Sequence, residues 1–191
     1  MNKQKKILSL LTALVLASLA CNLPGVGSSG PDPTEESVPV STEEAENFVE
    51  AWEQAFETAR ETGVVSLTLT EEQMTSFLAV SLAEQENTTL TDPQVFLREG
   101  EMEIVGKYDT GPVTTNAGVV LEISVDAEGK PLIKVISGSL GPLPLPAEIL
   151  NGISQIINQS LSGQIASAAT GFTLESIVIS EGTLTMSGTL K

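Results

Sequence analysis

Hydrophobic residues recur at helical spacing in two stretches of the first half of this chain. The first stretch follows the capping box Ser41–Glu44 and runs from about Thr42 to Glu61, and Gly63 ends it. Its apolar positions are Ala45, Phe48, Val49, Trp52, Phe56 and Ala59. The second stretch follows another capping box, Thr70–Gln73. Its apolar positions are Met74, Phe77, Leu78 and Leu82. The spacing predicts one long and one short amphipathic helix.

Elsewhere the hydrophobic period is two, which is typical of strands with one buried face. Val64–Leu69 alternates in this way directly after the first helix, and Glu99–Gly100 fits a hairpin turn between Val95–Arg98 and Met102–Lys107. The remaining predicted strands are Thr114–Val125, Pro131–Ser137, Phe172–Ile179 and Thr183–Leu190. We therefore expect three or more antiparallel strands.

A third helix is predicted after the stiff, proline-rich connector Gly141–Pro146, because Pro146 fits the first turn of a helix. Its apolar positions are Ile149, Leu150, Ile153, Ile156, Ile157, Leu161 and Ile165. No charged residue occurs between Ile149 and Leu174. In an acidic chain, an uncharged helix indicates burial in the core or contact with an apolar molecule. Together the elements predict one α+β domain over residues 41–191, in which an N-terminal helix precedes a curved antiparallel sheet packed on two further helices.

The N-terminus has the layout of an export signal. Three lysines, Lys3, Lys5 and Lys6, precede the uncharged run Ile7–Ala20, which ends in small residues before Cys21. The run is shorter than the about 20 residues that a bilayer-spanning helix needs. The segment resembles a bacterial lipoprotein signal, although Ser18 and Leu19 stand in the reverse of the usual order of sizes.

The lipoprotein resemblance implies cleavage before Cys21 and attachment of diacylglycerol to its sulfur. Residues 1–20 would then be a signal peptide and residues 21–40, rich in Pro, Gly and Ser, a flexible tether. Such acyl chains give stable anchoring without a spanning helix, and the domain would lie outside the cytoplasm at a membrane or in the cell envelope. An ordinary secretory signal and an uncleaved anchor are the alternatives.

The composition and charge of the chain argue against two classes of function, nucleic-acid binding and catalysis. The chain has 25 acidic and nine basic residues, a formal net charge of −16, and removal of residues 1–20 would bring it to −19. Such a surface repels phosphates, so we expect no nucleic-acid partner. There is no histidine, and Cys21 is the only cysteine. Histidine is the commonest general base and the commonest transition-metal ligand in proteins. We therefore expect no enzyme, no catalytic residue, no metal site and no cofactor.

Two parts of the chain resemble known families. Val64–Gln73 is a predicted strand leading into T-E-E-Q at a helix start, and Ile136–Pro146 reads I-S-G-S-L-G-P-L-P-L-P before the apolar helix. In these features Val64–Lys191 resembles the uncharacterised, membrane-anchored YpmS-like proteins of Gram-positive bacteria, whose pattern has leucine and asparagine where Met74 and Thr75 stand here. The predicted third helix and the last two strands, which include I-S-E-G-T-L-T-M-S-G from Ile179 to Gly188, are similar to the mycobacterial lipid-binding LmeA-like proteins. The second resemblance implies a half-barrel with a lipid groove between helix and curved sheet, and neither supplies a catalytic residue.

Two hypotheses for function follow. In the first, the anchored domain binds a lipid or other amphiphile in a groove between helix and sheet, where burial of acyl chain contributes about 25 cal/mol per Å². The candidate lining residues are Phe77, Leu78, Leu150, Ile153, Ile157 and Leu161. In the second, the domain is a structural or interaction protein of the envelope with no small ligand, and its partner is another envelope protein. The same residues would then be ordinary core.

Overall fold

The computed structural model describes residues 37–84, 89–109, 111–155, 158 and 172–190. Its helices are α1 (Thr42–Thr62), α2 (Glu71–Ala83) and α3, whose helical residues are 147–155 and 158. Its strands are β1 (Val64–Thr70), β2 (Leu90–Arg98), β3 (Glu101–Asp109), β4 (Thr114–Val125), β5 (Pro131–Leu140), β6 (Leu143–Pro144), β7 (Phe172–Ser180) and β8 (Thr183–Leu190). Most of these bounds agree with the predicted elements, but β2 begins at Leu90 and not Val95, and the short strand β6 lies in the predicted connector Gly141–Pro146. Cys21 and the predicted signal peptide lie outside the described residues.

The strands form two antiparallel sheets, and neither closes into a barrel. A five-stranded sheet has the order β2-β3-β4-β5-β6, and a three-stranded sheet has the order β1-β8-β7. The predicted α+β class is confirmed, but there are two sheets where one was expected. The reason is that β1 pairs along its whole length with β8, the last strand of the chain. Hydrophobic periodicity identifies strands without indicating which of them pair.

α1 begins and ends where its sequence predicts. Ser41 Oγ accepts the backbone N–H of Glu44 at 3.0 Å, and Gly63 ends the helix with a φ of 77°, which glycine adopts without strain. Small buried residues let α1 lie close against the buried face of β1. The buried residues of this smaller core are Ala55, Ala59, Val65, Leu67 and Leu69.

The main core is formed by residues from both sheets. Its buried members are Val95, Leu97, Met102, Leu121, Val135, Ile179 and Leu184. Partly buried residues of α2 and α3 pack against it, among them Leu78, Leu150 and Ile153. Because β7 and β8 contribute Ile179 and Leu184, the two sheets share one hydrophobic interior.

Backbone hydrogen bonds between turns and strands hold the two sheets together. The N–H of Gly182 donates to the carbonyl of Leu97 at 3.0 Å, and the N–H of Gly100 donates to the carbonyl of Ile179 at 3.0 Å. These bonds lie at the β7–β8 turn and the β2–β3 turn, so each hairpin ends against the other sheet. The domain also includes the end of the predicted tether, because the N–H of Val38 donates to Gln94 Oε1 at 2.6 Å.

Candidate functional site

α2 covers the outer edge of β2 with polar side chains. Glu71 Oε1 accepts the N–H of Leu97 at 2.6 Å. The hydroxyl of Thr75 accepts the N–H of Val95 at 2.9 Å and donates to its carbonyl at 3.4 Å. We call the backbone of Val95 and Leu97 that faces α2 the β2 edge. It is deeply buried, since Thr75 is 0% exposed.

α3 covers in the same manner the part of β5 that β6 does not pair. Ser154 Oγ accepts the N–H of Val135 at 2.9 Å. Asn158 Oδ1 accepts the N–H of Ile133 at 2.9 Å, and Asn158 Nδ2 donates to the carbonyl of Ile133 at 2.5 Å. We call the backbone of Ile133 and Val135 that faces α3 the β5 edge. Both polar side chains are half-buried.

The spacing of these contacts has a simple geometric origin. Four residues of an α-helix rise about 6.0 Å, and two residues of a strand span about 6.6 Å. Side chains at positions i and i+4 of a helix therefore reach alternate residues of a strand, which are the residues whose N–H and C=O point to one edge. This geometry explains part of the charge-free composition of α3, because Ser154 and Asn158 take the place of a neighbouring strand.

The candidate lining residues fall into three groups. Leu78 of α2 and Leu150 and Ile153 of α3 are half-buried and pack against the main core. Phe77 lies elsewhere, stacked on Phe48 of α1 with the ring centroids 4.2 Å apart, and it remains 38% exposed. Nothing further is described for Ile157 and Leu161, which lie outside the described residues. Three of the six candidates thus pack against the main core, Leu78 from α2 at the β2 side and Leu150 and Ile153 from α3 at the β5 side.

Gly138 sets how closely α3 approaches the five-stranded sheet. A Cβ atom at this position would lie 3.0 Å from Leu145 Cδ1 and 3.2 Å from Leu150 Cδ2. These distances are tighter than ordinary van der Waals contact, so the leucines occupy the space that a side chain of residue 138 would fill. The start of α3 is therefore packed directly on the sheet.

A second apolar surface lies on α1, where the helical spacing predicted only an amphipathic helix. Trp52 and Phe56 stack with their centroids 5.8 Å apart, and the ring of Phe56 meets the edge of Phe172 at 6.1 Å. An open depression of about 710 Å³ lies beside them. Its described lining is Val49, Glu50, Trp52, Glu53, Gln54, Phe56, Glu57 and Arg60. Because all eight belong to α1, the described residues form one wall of this depression.

Several charged groups in the described ranges form ion pairs. Lys107 Nζ lies 2.7 Å from Asp92 Oδ2, and Lys134 Nζ lies 3.7 Å from Glu122 Oε2, with both pairs exposed. Arg98 pairs with Glu71 and, at 3.4 Å, with Glu181, which links α2 to the two hairpin turns. Within the described ranges, no three acidic, cysteine or histidine residues are grouped as metal ligands.

Comparison with known proteins gives no identification. No protein-family profile matches the sequence, no curated protein matches it, and no solved structure matches the fold. The resemblances noted from sequence patterns therefore stay predictions. For the part of the chain that the structure describes, no helix combines the length and apolar character needed to cross a membrane.

Proposed function

We propose that this chain is a lipid-anchored protein of the cell envelope that binds an apolar or amphiphilic molecule and catalyses no reaction. Cys21 carries the anchor, and the domain binds its ligand between α3 and the five-stranded sheet. The observation that carries the proposal is a patch of half-buried aliphatic residues at this place. We call it the aliphatic patch, and its residues are Ile123, Ile133, Leu150 and Ile153.

The contacts of α3 support an apolar ligand at the aliphatic patch. Ser154 and Asn158 direct their polar groups to the β5 edge, so the apolar side of α3 with Ile153 turns toward the sheet. Ile123 and Ile133 lie opposite each other on β4 and β5 and are only half-buried. Half-buried aliphatic side chains beside a dry core gain about 25 cal/mol for each Å² that an acyl chain removes from water.

The chemistry of the chain supports binding rather than catalysis. The sequence has no histidine, and Lys107 and Lys134 are exposed members of surface ion pairs. A lysine acting as nucleophile or base is usually desolvated, so that its pKa approaches neutrality. The many carboxylates are concentrated on solvated faces such as the outer side of α1, where they favour solubility.

A second candidate function is a protein-interaction role with no small ligand. It is favoured by the packing at Gly138, where Leu145 and Leu150 fill the space over the sheet with the chain's own side chains. If the aliphatic patch is covered in the same way along its whole length, no lipid is needed to complete the core.

Lipid extraction distinguishes the two functions. The domain without its anchor, residues 37–191, is purified from a bacterial host and extracted with organic solvent, and the extract is analysed by mass spectrometry. We expect stoichiometric lipid in the wild type and in Ile149→Asn, because Ile149 is 51% exposed on α3. We expect loss of lipid in Ile153→Asn, with circular dichroism confirming that the variant is folded. Absence of lipid from the wild-type domain would favour the protein-interaction role.

The anchor is tested separately on the full chain. Expression with labelled palmitate should give a membrane-bound product that starts at residue 21 and carries label, and Cys21→Ser should be unlabelled. A product that retains residues 1–20, or that carries no fatty acid at Cys21, would overturn the anchor without bearing on ligand binding.

A further inference from the structure

The outer sides of β2, β5 and β7 each receive hydrogen bonds from other groups in the described part of the chain. α2 covers β2, and α3 together with β6 covers β5. The outer side of β7 bonds to two turns, through Gly100 to Ile179 and through Leu174 to Gly129. β1 is the outer strand at the other end of the three-stranded sheet. Between its two ends, its outward backbone groups receive no hydrogen bond from the described residues.

The register of β1 with β8 defines which of its backbone groups face outward. Glu71 N–H donates to the carbonyl of Gly182 at 3.2 Å, and Leu190 N–H donates to the carbonyl of Gly63 at 3.0 Å. In an antiparallel ladder, hydrogen-bonded pairs alternate with non-bonded pairs. The odd-numbered residues from Gly63 to Glu71 therefore bond to β8, and the N–H and C=O groups of the even-numbered residues point away from it.

Side chains close both ends of this outward edge. The Thr62 hydroxyl accepts the N–H of Val64 and donates to its carbonyl, both at 3.2 Å. Gln73 Oε1 accepts the N–H of Thr70 at 3.1 Å. Between them, the N–H and C=O groups of Ser66 and Thr68 have no hydrogen-bond partner in the described residues, and both residues are exposed. We call these four groups the β1 edge.

We propose that the β1 edge binds the β1 edge of a second copy of this chain, with the two strands antiparallel. A two-fold axis at Leu67 places Ser66 opposite the partner subunit's Thr68, and Thr68 opposite the partner subunit's Ser66. Each pair exchanges two hydrogen bonds, so all four groups on each copy are satisfied. The two three-stranded sheets become one continuous six-stranded sheet.

The pattern of free groups favours a second copy over an unrelated peptide. The free groups are symmetric about Leu67, which is what a two-fold contact requires. A shift of the register by two residues in one direction would pair Ser66 with the partner subunit's Ser66 and displace the bonds of Thr62 to Val64. A shift in the other direction would pair Thr68 with the partner subunit's Thr68 and displace the bond of Gln73 to Thr70. The strand Val64–Thr70 also carries no charge and no proline, the two devices that commonly block edge pairing.

The contact is short, and the rest of the chain is strongly acidic. We therefore expect weak association that becomes stronger when salt screens the repulsion between the two net charges of −16. Sedimentation of the full chain in detergent should show a monomer at low concentration and a dimer at high concentration, with the dimer favoured by salt.

Cysteine pairing tests the register. Two full-length variants, both with Cys21→Ser, carry either Ser66→Cys or Thr68→Cys. Directly opposed residues in such a pair have Cα atoms about 5.5 Å apart, within the range of a disulfide. We expect oxidation to give a disulfide-linked dimer when the two variants are mixed and little when either is alone. No dimer in the mixture, or equal yields in all three samples, would overturn the proposal.

A proline substitution tests the hydrogen bonds. Thr68→Pro removes an outward N–H, a change that edge strands tolerate, whereas Thr68→Ala keeps the N–H and removes the hydroxyl. We expect Thr68→Pro to weaken dimerisation at least tenfold and Thr68→Ala to leave it unchanged, with unfolding curves showing that both are folded. A dimer that survives Thr68→Pro would overturn the proposal, as would a heavier species that contains a different protein.

Discussion

The β2 edge and the β5 edge are covered by the same device, two polar side chains one helical turn apart, but they differ in burial and in charge. At the β2 edge, Thr75 is completely buried, and Glu71 brings a carboxylate that is neutralised by Arg98. At the β5 edge, Ser154 and Asn158 are neutral and half-buried. The hydrogen-bond distances to the strand N–H groups are similar, from 2.6 to 2.9 Å.

The difference in burial shows that the geometry of a side-chain hydrogen bond to a strand edge does not alone determine how much the bond contributes to stability. Where water can hydrogen-bond to the strand in place of the removed side chain, the loss of stability is small. Where water cannot enter, the strand is left with an unsatisfied N–H or C=O, and the desolvation cost is retained in full. We therefore expect substitutions at the β2 edge to destabilise the domain more than substitutions at the β5 edge.

The largest effect is expected for Thr75→Val, which keeps the shape of the side chain and removes its hydroxyl. The N–H and C=O of Val95 both lose their partner in a buried place, so the free energy of unfolding should fall by about 3 kcal/mol. Urea unfolding of residues 37–191 measures this change. Thr68→Val is the matched control on the exposed face of β1: it removes a hydroxyl bonded to Thr185 Oγ1 at 3.1 Å, which water can replace, so it should cost less than about 0.5 kcal/mol. Equal losses in both variants would contradict the ranking by burial.

A smaller effect is expected for Glu71→Ala, which removes the acceptor of the Leu97 N–H and the partner of Arg98. Arg98 is partly exposed and can be rehydrated, so we expect a loss of about 2 kcal/mol. Glu72→Ala, on the exposed side of the same first turn, controls for the helix dipole and should cost about 0.5 kcal/mol. A loss for Glu71→Ala no larger than that of its neighbour would show that α2 does not depend on this contact.

Much of the fold is predictable from local patterns in the sequence. The N-cap at Ser41, the capping box at Thr70, the stop at Gly63 and the turn at Glu99–Gly100 lie where the sequence indicates, because each is a short-range interaction between residues a few positions apart. The predicted capping box at Ser41 is only half formed, because the N–H of Ser41 donates to Ser76 Oγ at 3.1 Å and not to Glu44. The alternation in Thr114–Val125 likewise defines a strand with the observed bounds.

The pairing of distant strands and the covering of the sheet edges are not predictable in this way. β1 pairs with β8 across more than a hundred residues, and the hydroxyl of Thr75 meets Val95, which the sequence around Thr75 does not indicate. For the candidate site, the helical pattern correctly placed Leu150 and Ile153 on one face of α3, but it could not tell Phe77, which stacks on α1, from Leu78, which faces the main core. The sequence identifies Ser154 and Asn158 only as uncharged positions of α3 and does not indicate that they bond to β5.

Gly138 offers a test of the packing on the β5 side, because it controls how closely α3 lies on the sheet. Gly138→Ala places a methyl group against Leu145 and Leu150 and should destabilise the domain by about 1.5 kcal/mol through overpacking. Gly152→Ala, in the interior of α3 with no atom within 4 Å of the new Cβ, should instead stabilise it by about 0.5 to 1 kcal/mol. Opposite signs in urea unfolding would confirm that α3 is packed on the sheet at Gly138.

The smallest effect is expected for Ser154→Ala at the β5 edge. The N–H of Val135 loses its acceptor, but this edge is only half-buried and water can take the place of the hydroxyl, so the loss should be about 1 kcal/mol or less. Hydrogen exchange reports the change locally, and the amide of Val135 should exchange faster while that of Val95 is unaffected. Asn151→Ala, exposed on the same helix, should leave both amides unchanged. If Ser154→Ala destabilised the domain as much as Thr75→Val, the β5 edge would be as dry as the β2 edge. The aliphatic patch beside it would then have no access for a ligand.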